Sequence, residues 1–238
     1  MNPQSKFICI AVLLLLFSAV ACSAVSLPGL DVSGGLMWMG NAETEGGPSP
    51  LLGIWGVGLP LEFTPLFSIE PELSMFGTQY QLSTDGSKAV PTEIEYASSL
   101  WALMLMLDIP FRFTFQLNDA LSLGAGAHTA FLFRIPTIGW GEASARTGDK
   151  EHRAAITGYW YQQARFFYPG TGFFFNWKMF ENISLFVRLL SLFSLFHAWD
   201  GEAAPFWDQM LISGRVGIRI SFSPVSESEA ATNAAKQQ

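Results

Sequence analysis

Charge is what this sequence has least of. Asp, Glu, Lys and Arg make up 14% of the 238 residues, where ordinary soluble domains carry roughly 25%. Cysteine is as scarce: Cys9 and Cys22 are the only two, and both fall near the start. The rest of the chain therefore forms no internal disulfide and no cysteine-based metal site. Long apolar runs are missing as well. Half of the chain is hydrophobic, yet after the first 24 residues no uncharged apolar stretch reaches the ~18 residues of a spanning helix. The best runs, 97–107 and 189–196, stop at Asp108 and follow Arg188. A net charge of −7 argues against nucleic acid as a partner. Nucleophile-elbow, Walker, zincin and dinucleotide motifs are all lacking. Ser144, Asp149 and His152 share one loop, which is weak support for a catalytic site, and His128, His152 and His197 have no metal-ligand spacing. Neither enzymatic activity nor a cofactor or metal is expected.

What is present begins with a leader. Residues 1–24 combine Lys6, an apolar run over 7–20 and the small-x-small sequence Ala19-Val20-Ala21, which reads as an export signal. Cys22, directly after it, also loosely matches a lipid-attachment site.

The run 210–222 then sets the pattern for the rest. Met210, Ile212, Gly214, Val216, Ile218, Ile220 and Phe222 occupy one parity, while Ser213, Arg215, Gly217, Arg219 and Ser221 occupy the other. A period of two with one apolar and one polar face is a β-strand. Seven more such runs precede it, at 30–40, 51–63, 68–82, about 94–115, 121–135, 166–180 and 183–196. Pro110 and the alternating Phe111, Phe113 and Phe115 favour strand over helix in the fourth. The connections alternate between long polar loops (41–50, 83–92, 136–157, 198–206) and tight turns (64–67, 118–119, 181–182).

Eight strands, short turns at one end and longer loops at the other predict an all-β fold, an antiparallel up-and-down transmembrane β-barrel, apolar outside and polar within. Trp38, Trp101 and Trp207 fall at loop-side strand ends, and Phe63, Phe115 and Phe222 at turn-side ends, as two interfacial girdles require. The expected organisation is a signal peptide (1–24), a barrel (25–222) and a polar, disordered tail (223–238). A soluble lipocalin-like barrel, with the parities reversed, is the rival architecture.

The leader, the eight strands, Leu107-Asp-Ile-Pro-Phe-Arg-Phe113, Gly124-Ala-Gly126 and the aromatic end of the last strand resemble the small outer-membrane barrel families, OmpW, OmpX and the OmpA membrane domain among them. The resemblance implies residence in the bacterial outer membrane, with its lipid and the barrel-assembly machinery as partners and Phe222 as the assembly signal. In those families the final phenylalanine usually ends the chain, whereas here sixteen residues follow Phe222.

Carried inward, the polar parity places Asp31, Glu62, Glu70, Glu72 and Asp108 in the lumen with Arg112, Arg134, Lys178, Arg188, Arg215 and Arg219. An eight-stranded barrel is only wide enough for side chains to fill. Opposed carboxylates and guanidiniums are therefore expected to form a network, centred on Glu70, Glu72, Asp108, Arg188, Arg215 and Arg219, that acts as plug or gate.

Two functions fit. One is a narrow pore or carrier for small or apolar solutes, for which OmpW-like proteins and the lumen-parity Leu100, Ala102, Met104 and Met106 speak. The other is a surface-binding or structural protein, its closed barrel an anchor for the external loops. Its binding loop is 136–157, with Glu142, Asp149, Lys150, Glu151, His152 and Arg153, and its partner an unidentified extracellular one. The loops hold an acidic excess that includes Asp200, Glu202 and Asp208, expected to be solvated.

Overall fold

The computed structural model describes residues 29–42, 49–83, 86–93, 99–137, 150–202 and 204–222, with backbone alone for 150–152. The leader with Cys22, the 223–238 tail, Glu142, Asp149 and the side chains of Lys150, Glu151 and His152 lie outside the described residues.

The strands are β1 (Gly29–Met39), β2 (Leu51–Gly58), β3 (Leu61–Thr64), β4 (Phe67–Ile69), β5 (Glu72–Leu82), β6 (Ala89–Thr92), β7 (Leu100–Gln116), β8 (Leu121–Pro136), β9 (Phe167–Phe180), β10 (Ile183–Leu192) and β11 (Leu211–Ser221). Pairing runs β1-β2-β5-β7-β8-β9-β10-β11 and returns to β1, every step antiparallel. The sheet is thus a closed barrel of eight walls.

The expected second and third strands are each interrupted, at Leu59-Pro60 and at Glu70-Pro71. Proline has no N–H to give to a ladder, so pairing lapses there and resumes in the same register as β3 and β4. Leu59 N–H still donates to Pro71 O at 2.9 Å.

Three boundaries differ from expectation. Residues 89–92, read as loop, form the buried strand β6 paired to Gln79–Leu82 of β5. The tenth strand stops at Leu192 rather than 196, because the chain turns there into a 3₁₀ segment, Leu195–Ala198, that folds Phe196 inward. The loop 136–157 is not wholly a loop: helix α1 (Lys150–Tyr161) starts within it. Its buried residues Ile156, Tyr159 and Trp160 share one helical face by their spacing, which is too short a signal for sequence periodicity to expose.

Following directly paired residues from Lys178 of β9 through Ser184, Arg219, Asp31, Gly58, Glu72, Asp108 and Ala130 leads back to β9 at Tyr168. The stagger is ten residues, so the strands are strongly tilted. With eight walls, β5 faces β10 across the lumen and β7 faces β11. That geometry decides which charges meet.

Candidate functional site: the lumenal charge network and the loop-side cap

Strand alternation turns Asp31, Glu72, Asp108, Arg112, Arg188, Arg215 and Arg219 inward, and Glu70, of the same parity as Glu72, keeps that direction across the break at Pro71. All are buried except Arg219, which is nearly so. Glu72 crosses the lumen, pairing one oxygen with Arg188 and the other with Arg215. Glu70 receives Arg112, Arg188 (3.1 Å) and Arg219 (2.6 Å) on one oxygen. Arg219 also forks onto Asp31 from Nε (2.8 Å) and Nη2 (3.0 Å), and Arg188 reaches the same carboxylate. Ser74 donates to Glu72 at 2.8 Å and Ser68 to Glu70 at 3.4 Å.

Two aromatic rings floor this network. The Arg188 guanidinium lies 3.9 Å from the ring centre of Phe186, and that of Arg112 lies 4.8 Å from Phe174. Each ring covers the glycine paired with it on the next strand, Gly217 and Gly124 respectively. A Cβ at either glycine would collide with the ring. The missing side chains are what let the rings lie flat and offer their faces to the cations.

Other expected members sit elsewhere. Asp108 pairs with His128 (2.8 Å) rather than with an arginine. Glu62 is 63% exposed at the turn-side mouth, 3.9 Å from Arg219, and Lys178 lines the same mouth. This vestibule, about 530 Å³, is walled by Thr114, Gln116, Ser122 and Asn176 and reaches inward to Glu70 and Arg219. Arg134 is fully buried but touches no carboxylate among the described residues. It donates to the hydroxyls of Tyr80 (3.2 Å) and Tyr168 (2.8 Å) and to the carbonyls of Arg165 (2.9 Å) and Trp160 (3.5 Å). Those two carbonyls lie at and just beyond the C-terminal end of α1, where partial negative charge gathers. Phe222 follows β11 and is half exposed.

Around Arg134 the loop-side half of the lumen is otherwise lined mainly by apolar side chains. Leu100, Ala102, Met104 and Met106 are buried in one cluster with Met37, Tyr80, Trp160 and Phe196. The Tyr80 and Trp160 rings meet edge to face at 5.1 Å.

Above this lies a cap that sequence reasoning did not find. The expectation that the loop acids are solvated fails at Asp200 and Asp208, whose side chains are fully buried. Arg165 binds Asp200 (3.2 Å) and Glu202 (2.6 Å), Lys88 binds Asp208 (2.5 Å), and His197 lies between Asp200 (3.0 Å) and Asp208 (3.4 Å). Burial disfavours the Asp208 anion, but His197 and Lys88 outweigh this and hold its pKa below the usual value. The two cations, Arg165 and Lys88, lie far in sequence from the carboxylates they bind, so no local motif marks those pairs.

Outside, Val32, Leu36, Trp55, Val57, Phe111, Phe113, Phe173, Leu189, Val216 and Ile218 are exposed, which places the apolar face of the barrel outward. No described helix is long and apolar enough to cross a membrane; the barrel wall takes that role. A closed antiparallel barrel of eight strands, with short turns at one end, longer loops at the other, an apolar wall and a charged interior, is an outer-membrane β-barrel.

No protein-family sequence model matches the chain, and neither does any curated protein sequence. Among solved structures, it is similar to Neisserial surface protein A (8% identity, 82% of this chain and 96% of that one, TM-score 0.49). It is also similar to Ail, the attachment invasion locus protein of Yersinia pestis (8% identity, 82% and 97%, TM-score 0.38). A third is the NanC porin (9% identity, 81% and 100%, TM-score 0.29). The barrel assignment rests on the strand pairing and the apolar wall.

Proposed function

We propose that this protein is a sealed outer-membrane barrel, an anchor that displays its loop-side cap at the bacterial surface, rather than a pore or carrier. The observation that carries this reading is the Glu72 bridge from β5 to Arg188 on the opposite wall and Arg215 beside it, which braces the lumen across its width. Breaking a buried ion pair leaves an uncompensated charge in a medium that penalises it. The braced state is therefore a plug that is costly to open.

The residues that suited an apolar solute, Leu100, Ala102, Met104 and Met106, support the same reading, because Trp160 and Phe196 share their buried cluster. Among the described loop residues Leu195, Trp199 and Phe206 are exposed, so an extracellular partner meets an apolar, largely aromatic patch there.

Conductance of the folded chain in planar bilayers tests this. A silent bilayer, after a heat-shift on a gel has shown that the barrel is folded, is the expected result. Discrete, reproducible openings that change in Glu70→Gln or Arg215→Ala would establish the pore instead.

A further inference from the structure

The cap holds one titratable group whose surroundings demand a single protonation state. His197 Nδ1 faces Asp200 Oδ2 at 3.0 Å, and Nε2 faces the Asp208 carbonyl oxygen at 3.2 Å with Asp208 Oδ2 at 3.4 Å. Both ring nitrogens therefore look at acceptors. A neutral imidazole has one N–H and leaves one of these contacts as two lone pairs facing each other; only the imidazolium satisfies both.

The charged groups around it come from every element packed there. Asp200, Glu202 (4.0 Å from Nδ1) and Asp208 belong to its own loop. Arg165, after α1, binds Asp200 and Glu202, Lys88, before β6, binds Asp208, and Tyr159 of α1 donates to Glu202 at 3.1 Å. Asp208 further accepts from Ala42 N–H of the first loop at 2.9 Å, and its neighbour Gln209 donates to Tyr159 at 2.9 Å. The His197–Asp208 pair, together with Asp200, Glu202 and Gln209 beside it, thus joins segments from all four loop-side connections.

The joined segments are also strained. Gln163, Ala164 and Gln209 have φ of 51°, 59° and 56° and are the only non-glycine residues with positive φ among the described residues. All three lie in the cap. Such conformations persist only where surrounding contacts enforce them, and here Trp199 donates to Gln163 O while Gln209 N–H donates to Gly40 O, each at 2.9 Å.

We propose that His197 is the bolt of a pH-released latch, which holds the cap shut over the apolar half of the lumen while the imidazole carries both protons and loosens when alkali removes one. Burial opposes the charged ring, but the hydrogen bond and charge of Asp208 and the charge of Asp200 outweigh it, so the pKa is raised. With a raised folded-state pKa, the latch is at full strength below the ordinary imidazole value and fades as pH rises through the raised one.

The test is hydrogen exchange of residues 194–210 in the full barrel folded in lipid nanodiscs. It is read at a series of pH values from about pH 6 to about pH 9, spanning the ordinary imidazole value, and corrected with an unfolded reference for the intrinsic rate. In the wild type, protection should fall about tenfold for each unit by which folding raises the imidazole pKa. His197→Gln should show weaker protection, equal across the series. Asp200→Asn should move the loss to lower pH, and Ala164→Gly, which relieves the strained φ, should raise protection throughout. Unchanged wild-type protection overturns the proposal, as does the same pH-dependent loss in His197→Gln. If His197→Gln fails the heat-shift check for a folded barrel, Asp200→Asn decides: an unmoved midpoint overturns the latch.

Discussion

Arg188 of β10 and Arg215 of β11 are directly opposite each other on neighbouring strands, two cations side by side inside the lumen. Like charges in that relation destabilise a sheet. Here the relation is reversed by one residue from the far wall, because Glu72 places a separate oxygen on each guanidinium.

Glu72→Gln therefore does more than delete a pair. It keeps the shape but leaves two facing guanidiniums without a shared anion, and the loss of stability should be about 3 to 5 kcal/mol. Urea unfolding in lipid or detergent measures it. The double variant Glu72→Met with Arg215→Met should be milder than Glu72→Gln alone, since it removes the unpaired charge together with its partner.

The glycines under the two lumenal rings should be intolerant of a methyl group. The Cβ of Gly217→Ala meets the Phe186 ring and the Val32 carbonyl oxygen, that of Gly124→Ala meets the Phe174 ring and the Phe113 carbonyl oxygen, and each should cost about 1 to 3 kcal/mol through overpacking. Gly53→Ala is the control. Its added Cβ meets nothing within 4 Å, so its unfolding midpoint should match the wild type within about 0.5 kcal/mol. Equal effects at Gly53 and Gly217 would contradict the ring-on-glycine arrangement.

Trp160→Ala should remove about 3 to 5 kcal/mol, the cost of emptying a large buried site. Trp160 is 1% exposed; were α1 a helix lying on the surface, the same substitution would change little. The accompanying readout is hydrogen exchange of 150–165, which should accelerate in the variant while the strands stay protected.

Acid should loosen the cap from the other side. The Asp208 pKa is lowered, so its contribution is complete above the ordinary carboxylate value and disappears as pH falls through the lowered one. Protection of 194–210 should therefore decline in strong acid. Lys88→Gln should shift that decline toward neutral pH by removing one of the groups that stabilise the anion. A decline at the same pH in both proteins would show that Lys88 does not act on Asp208.

Much of this architecture was written in residue parity. The alternation in β11, with Ile212, Val216 and Ile218 against Ser213, Arg215 and Arg219, separates wall from lumen residue by residue, because a strand has only two faces. Strand interruptions at Pro60 and Pro71 were less legible, since a proline that leaves the register intact does not disturb the alternation. Helix α1 escaped because three apolar residues make a weak periodic signal and Gly158 lies among them.

The sequence by itself determined the eight walls, their inward and outward faces, the alternation of turns and loops, and therefore the barrel with its apolar wall. These follow from short-range spacing. Only the tertiary structure decided which charges meet: that Glu72 joins Arg188 and Arg215, that Asp108 pairs with His128, that Arg134 holds the end of α1, and that Asp200 and Asp208 are buried among Arg165, Lys88 and His197. Those pairings depend on the ten-residue stagger that sets opposite walls against each other and on loops folding over the opening. Both are properties of the closed ring, which no local stretch of sequence contains.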